Sequence, residues 1–232
     1  MAPVDCPGVA QPITREFLTD VLALVPAPDP VVEFGSLQVE AEQDIDLRRF
    51  FPGRPFTGTD FREGPGVDRV EDLRGLRFED GEVGTAICLD TLEHCADPVT
   101  AVREMHRALR PDGGLCLISS VMLFGIHGYP NDYFRFTPEG FRQLLEPFDD
   151  AWVLGIGDQG IPREVFGVGI RGGSLDALGL DAMPHLAERQ RWWDDATGMV
   201  RLGPLRYPPR LLAKELGWEA RRLVRERLRR GR

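Results

Sequence analysis

The stretch that decides the fold runs from Thr85 to Ser120 and reads TAICLDTLEHCADPVTAVREMHRALRPDGGLCLISS. Thr85-Ala86-Ile87-Cys88-Leu89-Asp90 is an apolar run ending in an acid, too short for a helix and typical of a buried strand. Asp97-Pro98 is a helix start, because Asp caps free backbone N–H groups and Pro suits the first turn. The helix is predicted to run to about Leu109, where Pro111 and Gly113-Gly114 stop it. Leu115 to Ser119 is a second, nearly continuous apolar strand. Strand, helix and strand in this order form the crossover unit of a parallel sheet.

Outward from this unit the same alternation continues. Toward the N-terminus, Val31-Val32-Glu33-Phe34-Gly35 is a short strand entering a turn, and Asp44 to Phe51 is a short helix. Pro55 to Asp60 is a strand ending in a carboxylate, and the Gly64-Pro65-Gly66 loop precedes a short strand at Val67 to Val70. Ile13 to Val25 carries Phe17, Leu18, Val21 and Leu22 at helical spacing until Pro26, Pro28 and Pro30 forbid continuation. Toward the C-terminus, Thr137-Pro138-Glu139 opens a helix through Leu145, and Ala151–Ile156 with Glu164–Ile170 reads as a strand pair. The expected architecture is α/β: a Rossmann-like, doubly wound, seven-stranded and mostly parallel sheet with a C-terminal helical extension. Residues 1–30 read as an N-terminal arm and helix, 31–172 as the main domain and 173–232 as the extension. In such sheets the ligand lies outside the carboxyl ends of the strands. Here those ends are Gly35, Asp60, Asp90, Ser119 and Ser120.

Composition narrows the class. The 232 residues carry a net charge of -9, which argues against a dedicated nucleic-acid binder. Cys6, Cys88, Cys95 and Cys116 are too few and too irregular for a disulfide scaffold, and Cys88 and Cys116 lie in apolar runs. No secretory leader and no apolar stretch of membrane-spanning length is evident, so the expected location is cytoplasmic. Gly203 to Pro209 reads as a linker. Residues 210–232 hold nine basic and three acidic residues, a local charge of +6. There Leu212, Leu216, Ala220, Leu223, Val224 and Leu228 fall on one helical face. Such a basic amphipathic helix suits an anionic membrane surface, docking on the acidic body, or self-association.

The turn after the first strand holds a single glycine, Gly35, rather than G-x-G-x-x-G, which disfavours a dinucleotide. Asp60, ending the next strand, is placed to accept hydrogen bonds from ribose hydroxyls. An adenosine-containing ligand without a pyrophosphate fits both features.

The order Val31-Val32-Glu33-Phe34-Gly35-Ser36, Thr57-Gly58-Thr59-Asp60, Glu71-Asp72-Leu73, Leu89-Asp90-Thr91-Leu92-Glu93-His94, Asp97-Pro98 and Met105 to Gly114 resembles the class I S-adenosylmethionine-dependent methyltransferases. Within them it resembles the small-molecule and glycan "type 11"-like branch, over about residues 30–170. The resemblance implies S-adenosylmethionine as cofactor, with Glu33, Gly35 and Ser36 near its methionine part and Asp60 on the ribose. It implies Asp72 and Leu73 at the adenine, and Leu89 and Asp90 near the sulfonium. Two departures stand out: the glycine-rich loop is reduced to Gly35, and Gly84 occupies a position where this family often has an acid.

Methyl transfer to a hydroxyl needs an aligned acceptor and removal of its proton. The segment Phe124 to Phe136 concentrates suitable groups between glycine and proline punctuation. His127 is the expected base, with Asp132 as its orienting partner or the alternative base; His94, Tyr129, Tyr133 and Arg135 are expected at the acceptor, a sugar, glycan or secondary-metabolite hydroxyl. Some sugar O-methyltransferases require Mg²⁺, and Asp90, Asp132 and His127 are the residues that would bind it, a site that carboxylates this scattered support only weakly. The alternative is a non-catalytic binding or regulatory protein with the same fold, motivated by the single-glycine turn.

Overall fold

The computed structural model describes residues 12–38, 46–127, 131–158, 160–194, 200–202, 205–207, 212–213, 216–218 and 220–221. Helix α1 (Pro12–Leu24) precedes β1 (Val31–Phe34), β2 (Phe56–Asp60), β3 (Arg69–Val70) and β4 (Thr85–Cys88). Helix α2 (Pro98–Ala108), β5 (Gly114–Val121), α3 (Pro138–Leu144), β6 (Asp150–Gly157), β7 (Pro162–Arg171) and α4 (Pro184–Asp194) follow. Strands β1 to β7 form one sheet in the order β3-β2-β1-β4-β5-β7-β6. The first five run parallel, while β7 is antiparallel to both β5 and β6. This is the expected seven-stranded, mostly parallel sheet.

Strand order reverses between β1 and β4, so the ends of these neighbours open a crevice where a ligand can lie. The pleat assigns alternate residues to two cores. Val32 and Phe34 of β1, Ala86 and Cys88 of β4, and Cys116 and Ile118 of β5 face the side covered by α2 and α3. Val31, Ile87, Leu115 and Leu117 face the side covered by α1 and α4. Helix α2 buries Pro98, Ala101, Val102, Met105 and Ala108, spaced at one helical stripe, and Asp97 caps it by accepting from Thr100 N at 3.0 Å.

Several expectations are altered in detail. The helix expected at Asp44 to Phe51 is, in its described part, a single 3-10 turn at Leu47–Phe50, capped by Asp46. Gly84 passes so close to the preceding segment that a Cβ there would lie 2.4 Å from the carbonyl oxygens of Pro28 and Asp29. An acid at this position is therefore sterically barred. Part of the segment read as a linker is a strand: β9 (Leu205–Tyr207) pairs antiparallel with β8 (Val200–Leu202). The two short apolar-basic runs satisfy their backbone groups by pairing, which a proline-flanked linker reading overlooked.

The terminal helices are built into the body. Phe17 of α1 stacks on Phe166 of β7 with ring centroids 4.6 Å apart, and Leu186 and Trp193 of α4 join the same core. Asp20, almost fully buried in α1, accepts from His185 Nδ1 at 2.6 Å and from Leu186 N at 3.0 Å at the start of α4. Among the described residues no helix is long and apolar enough to cross a membrane. The arm at residues 1–11, including Cys6, lies outside the described residues, as does most of the basic helix expected at 210–232.

Candidate active site

A cavity of about 310 Å³ opens at the carboxyl ends of β1, β2 and β4. Six of its lining residues matter most: Gly35, Asp60, Asp72, Asp90, His94 and Tyr133. It falls at the small end of the range of about 300–1,000 Å³ usual for small-molecule sites.

Gly35 turns the chain out of β1 with φ at +87°, where an L side chain is strained. A Cβ here would lie 2.1 Å from Thr91 Oγ1, so only glycine lets the turn pass the end of β4. The missing glycines of the loop have counterparts elsewhere. A Cβ on Gly58 would meet Gly66 O at 2.2 Å, and one on Gly66 would meet Ser36 O at 2.4 Å. These two glycines therefore let the 36–38 segment lie close over β2.

The residues expected at the cofactor divide by the direction of their side chains. Asp60 lines the cavity, and its Oδ1 accepts from Arg62 N at 2.9 Å and from Arg62 Nε at 3.4 Å. Asp72 also lines it, but both its oxygens engage Arg74, at 3.0 Å from Nε and 2.7 Å from the terminal nitrogen. These bonds hold the Asp72 carboxyl below the usual range. Leu73 lines the cavity as well. Ser36 is buried, its hydroxyl donating to Thr59 O at 3.2 Å, and does not line the cavity. Leu89 packs into the core on the α1 side. Glu33 is outside the lining, and burial, with Asp46 nearby, pushes its carboxyl up to about 8.

Asp90 is held in the left-handed region, φ +48°, an uncommon state for a residue with a side chain. Ser119 Oγ donates to its Oδ1 at 2.8 Å and Thr14 Oγ1 to its Oδ2 at 3.2 Å. Beneath it, Glu164 of β7 is fully buried. Burial, then the neighbouring Asp90, pushes the Glu164 carboxyl well above the ordinary range, and neither of its oxygens has a hydrogen-bond partner among the described residues. Glu93 is 1% exposed, and burial and Asp90 push its carboxyl up to about 8. Its Oε2 accepts from Ser120 Oγ at 2.7 Å, while Oε1 has no hydrogen-bond partner. Glu93 and Glu164 escaped the sequence reading, although the polar pair Ser119-Ser120 inside an apolar strand pointed to polar company there.

The loop after β5 supplies the other end. His127 Nδ1 lies 3.2 Å from Asp132 Oδ2, and the backbone N–H of His127 donates to the same oxygen at 2.8 Å. The expected pairing of His127 with Asp132 is thus present. Both are nearly buried, with side chains 9% and 3% exposed, and neither lines the cavity. Arg135 clasps Asp132 with both terminal nitrogens and donates to the carbonyls of Phe124 and Gly125, so it staples the loop. The imidazole that lines the cavity is His94, whose Nδ1 is 2.5 Å from Asn131 O and whose ring meets that of His127 edge-on at 4.8 Å. Burial lowers its pKa, leaving it neutral at pH 7. Tyr133 lines the mouth and is half exposed. Tyr129 lies outside the described residues. Asp90, Asp132 and His127 do not converge as a cation site, because Asp132 is committed to Arg135 and Asp90 to hydroxyl donors. Phe61, Asn131 and Cys95, also in the lining, follow or flank the expected positions and carried no signal of their own.

Residues 57–117 match the family described as "Methyltransferase domain". A search of curated proteins found no match. Among solved structures, the CurJ carbon methyltransferase is 11% identical, with a TM-score of 0.50 over 71% of this chain and 56% of that one. The carbon methyltransferase domain (CMeT) of the citrinin polyketide synthase is 14% identical, with a TM-score of 0.50 over 69% and 52%. A SAM-dependent methyltransferase from Thermotoga maritima is 19% identical, with a TM-score of 0.48 over 68% and 88%. The chain therefore has the fold of the class I S-adenosylmethionine-dependent methyltransferases, and residues 57–117 carry the methyltransferase-domain pattern within it.

Proposed function

We propose that the protein is an S-adenosylmethionine-dependent methyltransferase acting on a hydroxyl of a sugar-containing or secondary-metabolite acceptor. The observation that carries this reading is the cavity at the switch point, with Gly35, Asp60 and Asp90 on its wall. The residues fit the cofactor. Gly35 leaves room where a Cβ would clash, and Asp60 keeps one oxygen, Oδ2, without a partner among the described residues. Asp60 would hold the ribose hydroxyls, Leu73 the adenine face, and the β1 turn the methionine part. When bound, S-adenosylmethionine supplies a methyl carbon activated by its sulfonium.

The chain's own contribution lies in placement. Asp90, fixed by Ser119 and Thr14 in a strained backbone, holds the end of β4 rigidly against the turn at Gly35. The acceptor is read beside His94, where Tyr133 and Asn131 also line the cavity. Activation of its hydroxyl falls to the imidazole pair, with His94 facing the cavity and His127 behind it, oriented by Asp132. The imidazoles support oxygen rather than carbon as the methyl acceptor, since a hydroxyl must lose a proton.

Calorimetry with S-adenosylhomocysteine tests the cofactor reading, with binding in the micromolar range expected and none at millimolar ligand excluding it. A mass-resolved methyl-transfer screen against sugars and phenolic metabolites then tests the acceptor. Binding without transfer to any of them would favour the non-catalytic alternative.

A further inference from the structure

We propose that Glu93, His94 and His127 bind a divalent first-row transition-metal ion at the acceptor end of the cavity. One ligand atom from each of the three lies within 4.8 Å of those of the other two. They come from two elements: the 3-10 turn Leu92–His94 after β4, and the loop after β5.

The hydrogen bonds around the cluster leave one atom of each residue without a partner among the described residues. His94 Nδ1–H donates to Asn131 O at 2.5 Å, and His127 Nδ1–H donates to Gly125 O at 3.2 Å, with Asp132 Oδ2 at the same distance from Nδ1. Each ring then carries its lone pair on Nε2, which has no partner among the described residues. Glu93 contributes Oε1, which is buried and has no hydrogen-bond partner, while Oε2 is fixed by Ser120. Three acceptors facing one another in a largely buried place call for a proton or a cation.

The outer partners are those a metal site uses. A ligating imidazole normally donates its other N–H to a carboxylate or a carbonyl, which fixes the ring and its tautomer. His127 has the carbonyl of Gly125, with the Asp132 carboxylate beside it, His94 has the carbonyl of Asn131, and Arg135 in turn locks Asp132. Two imidazoles and one carboxylate select zinc, iron, cobalt or nickel over Mg²⁺, which prefers oxygen. Metal–nitrogen bonds of about 2.0–2.1 Å require ligand atoms roughly 3.3 Å apart. Binding therefore brings the ligand atoms of the three residues closer together. Three protein ligands leave coordination positions open, and His94 is the ligand on the cavity wall. If the methyltransferase reading holds, an acceptor oxygen bound there would lose its proton more readily; this role rests on that reading, whereas the site itself does not.

The test uses the full chain, stripped with chelator and titrated with Co²⁺ while visible absorption is followed, with metal content then measured by plasma mass spectrometry. One equivalent is expected, with d–d bands from nitrogen and oxygen ligands. His94→Ala and His127→Ala are each expected to weaken Co²⁺ binding at least tenfold, and Glu93→Gln likewise, with far-ultraviolet circular dichroism confirming that each variant is folded. Should Glu93→Gln fail to fold, the two histidine variants decide alone. Absence of the bands at millimolar Co²⁺, or bands unchanged in the His94→Ala/His127→Ala double variant, would overturn the site. S-adenosylhomocysteine calorimetry on the same samples separates the two ideas: Co²⁺ binding without it keeps the metal site and removes the methyltransferase reading, and the reverse result removes only the metal site.

Discussion

The two ends of the cavity are built on different principles. At the cofactor end, the polar groups find partners two residues away: Asp60, its side chain 9% exposed, with Arg62, and the half-exposed Asp72 with Arg74. At the acceptor end, Glu93, His127 and Asp132 are buried or nearly so, and the hydrogen bonds to the Glu93 and His94 side chains come from distant parts of the chain. Ser120 holds Glu93, Asn131 holds His94, and the loop after β5 is closed on itself by Asp132 and Arg135. Exposed local pairs contribute little to stability, whereas a buried partner that is removed leaves an uncompensated group behind. The cofactor end should therefore tolerate substitution and lose mainly affinity, while the acceptor end should lose order.

The strongest challenge to this contrast is Gly35→Val, because Gly35 is a cofactor-end residue that cannot yield. Its φ of +87° and the β-branched Thr91 beside it leave no room for a side chain. A loss of about 3 kcal/mol is expected, read as a lower urea midpoint, together with lost S-adenosylhomocysteine binding. Next comes Asp132→Ala, which strands the Arg135 guanidinium and frees the His127 backbone N–H. It should cost about 2–3 kcal/mol, with S-adenosylhomocysteine affinity unchanged. Equal losses of stability and affinity would mean that the two ends are not separable. Asp60→Ala should do the reverse, weakening S-adenosylhomocysteine about 10–100-fold in calorimetry while the melting temperature stays within about 2 °C.

The smallest effect belongs far from both ends, at the Asp20–His185 pair. Asp20 raises the His185 pKa above its unfolded value. The protonated imidazole therefore favours the folded state, fully below about pH 6.5, and this stabilisation fades as pH rises through the folded pKa. His185→Gln should lower the urea midpoint at pH 5 and leave it nearly unchanged at pH 9. A larger effect at pH 9 would reverse the sign of this coupling.

The same contrast explains what was legible in the amino-acid order. Gly35, Asp60 and Asp90 end strands, and strand ends follow from apolar runs that any reader can mark. Asp97-Pro98 announced α2 to the residue. The pairing of His127 with Asp132 lies within one loop and was also accessible. The company of Glu93, His94 and Glu164 was not, because β7 enters the sheet between β5 and β6, and only that insertion brings Glu164 under Asp90. Side-chain direction was the other gap: Ser36 and Leu89 stand next to lining residues, yet the pleat turns them toward Thr59 and the α1-side core. Gly84 was marked only as a departure from a pattern; the carbonyls of Pro28 and Asp29 that require it became visible in the fold.

The stacking of Phe17 on Phe166 carries a consequence for how the chain is made. Helix α1 leaves the ribosome before every strand of the seven-stranded sheet, but the strand that covers its apolar face is the last of them to be made. Throughout synthesis Phe17, Leu18 and Val21 lack their final partners, so the early chain presents an adhesive surface until β7 arrives. A nascent chain halted before Pro162 should be captured by hydrophobic-binding chaperones, and one extended past α4 should be released.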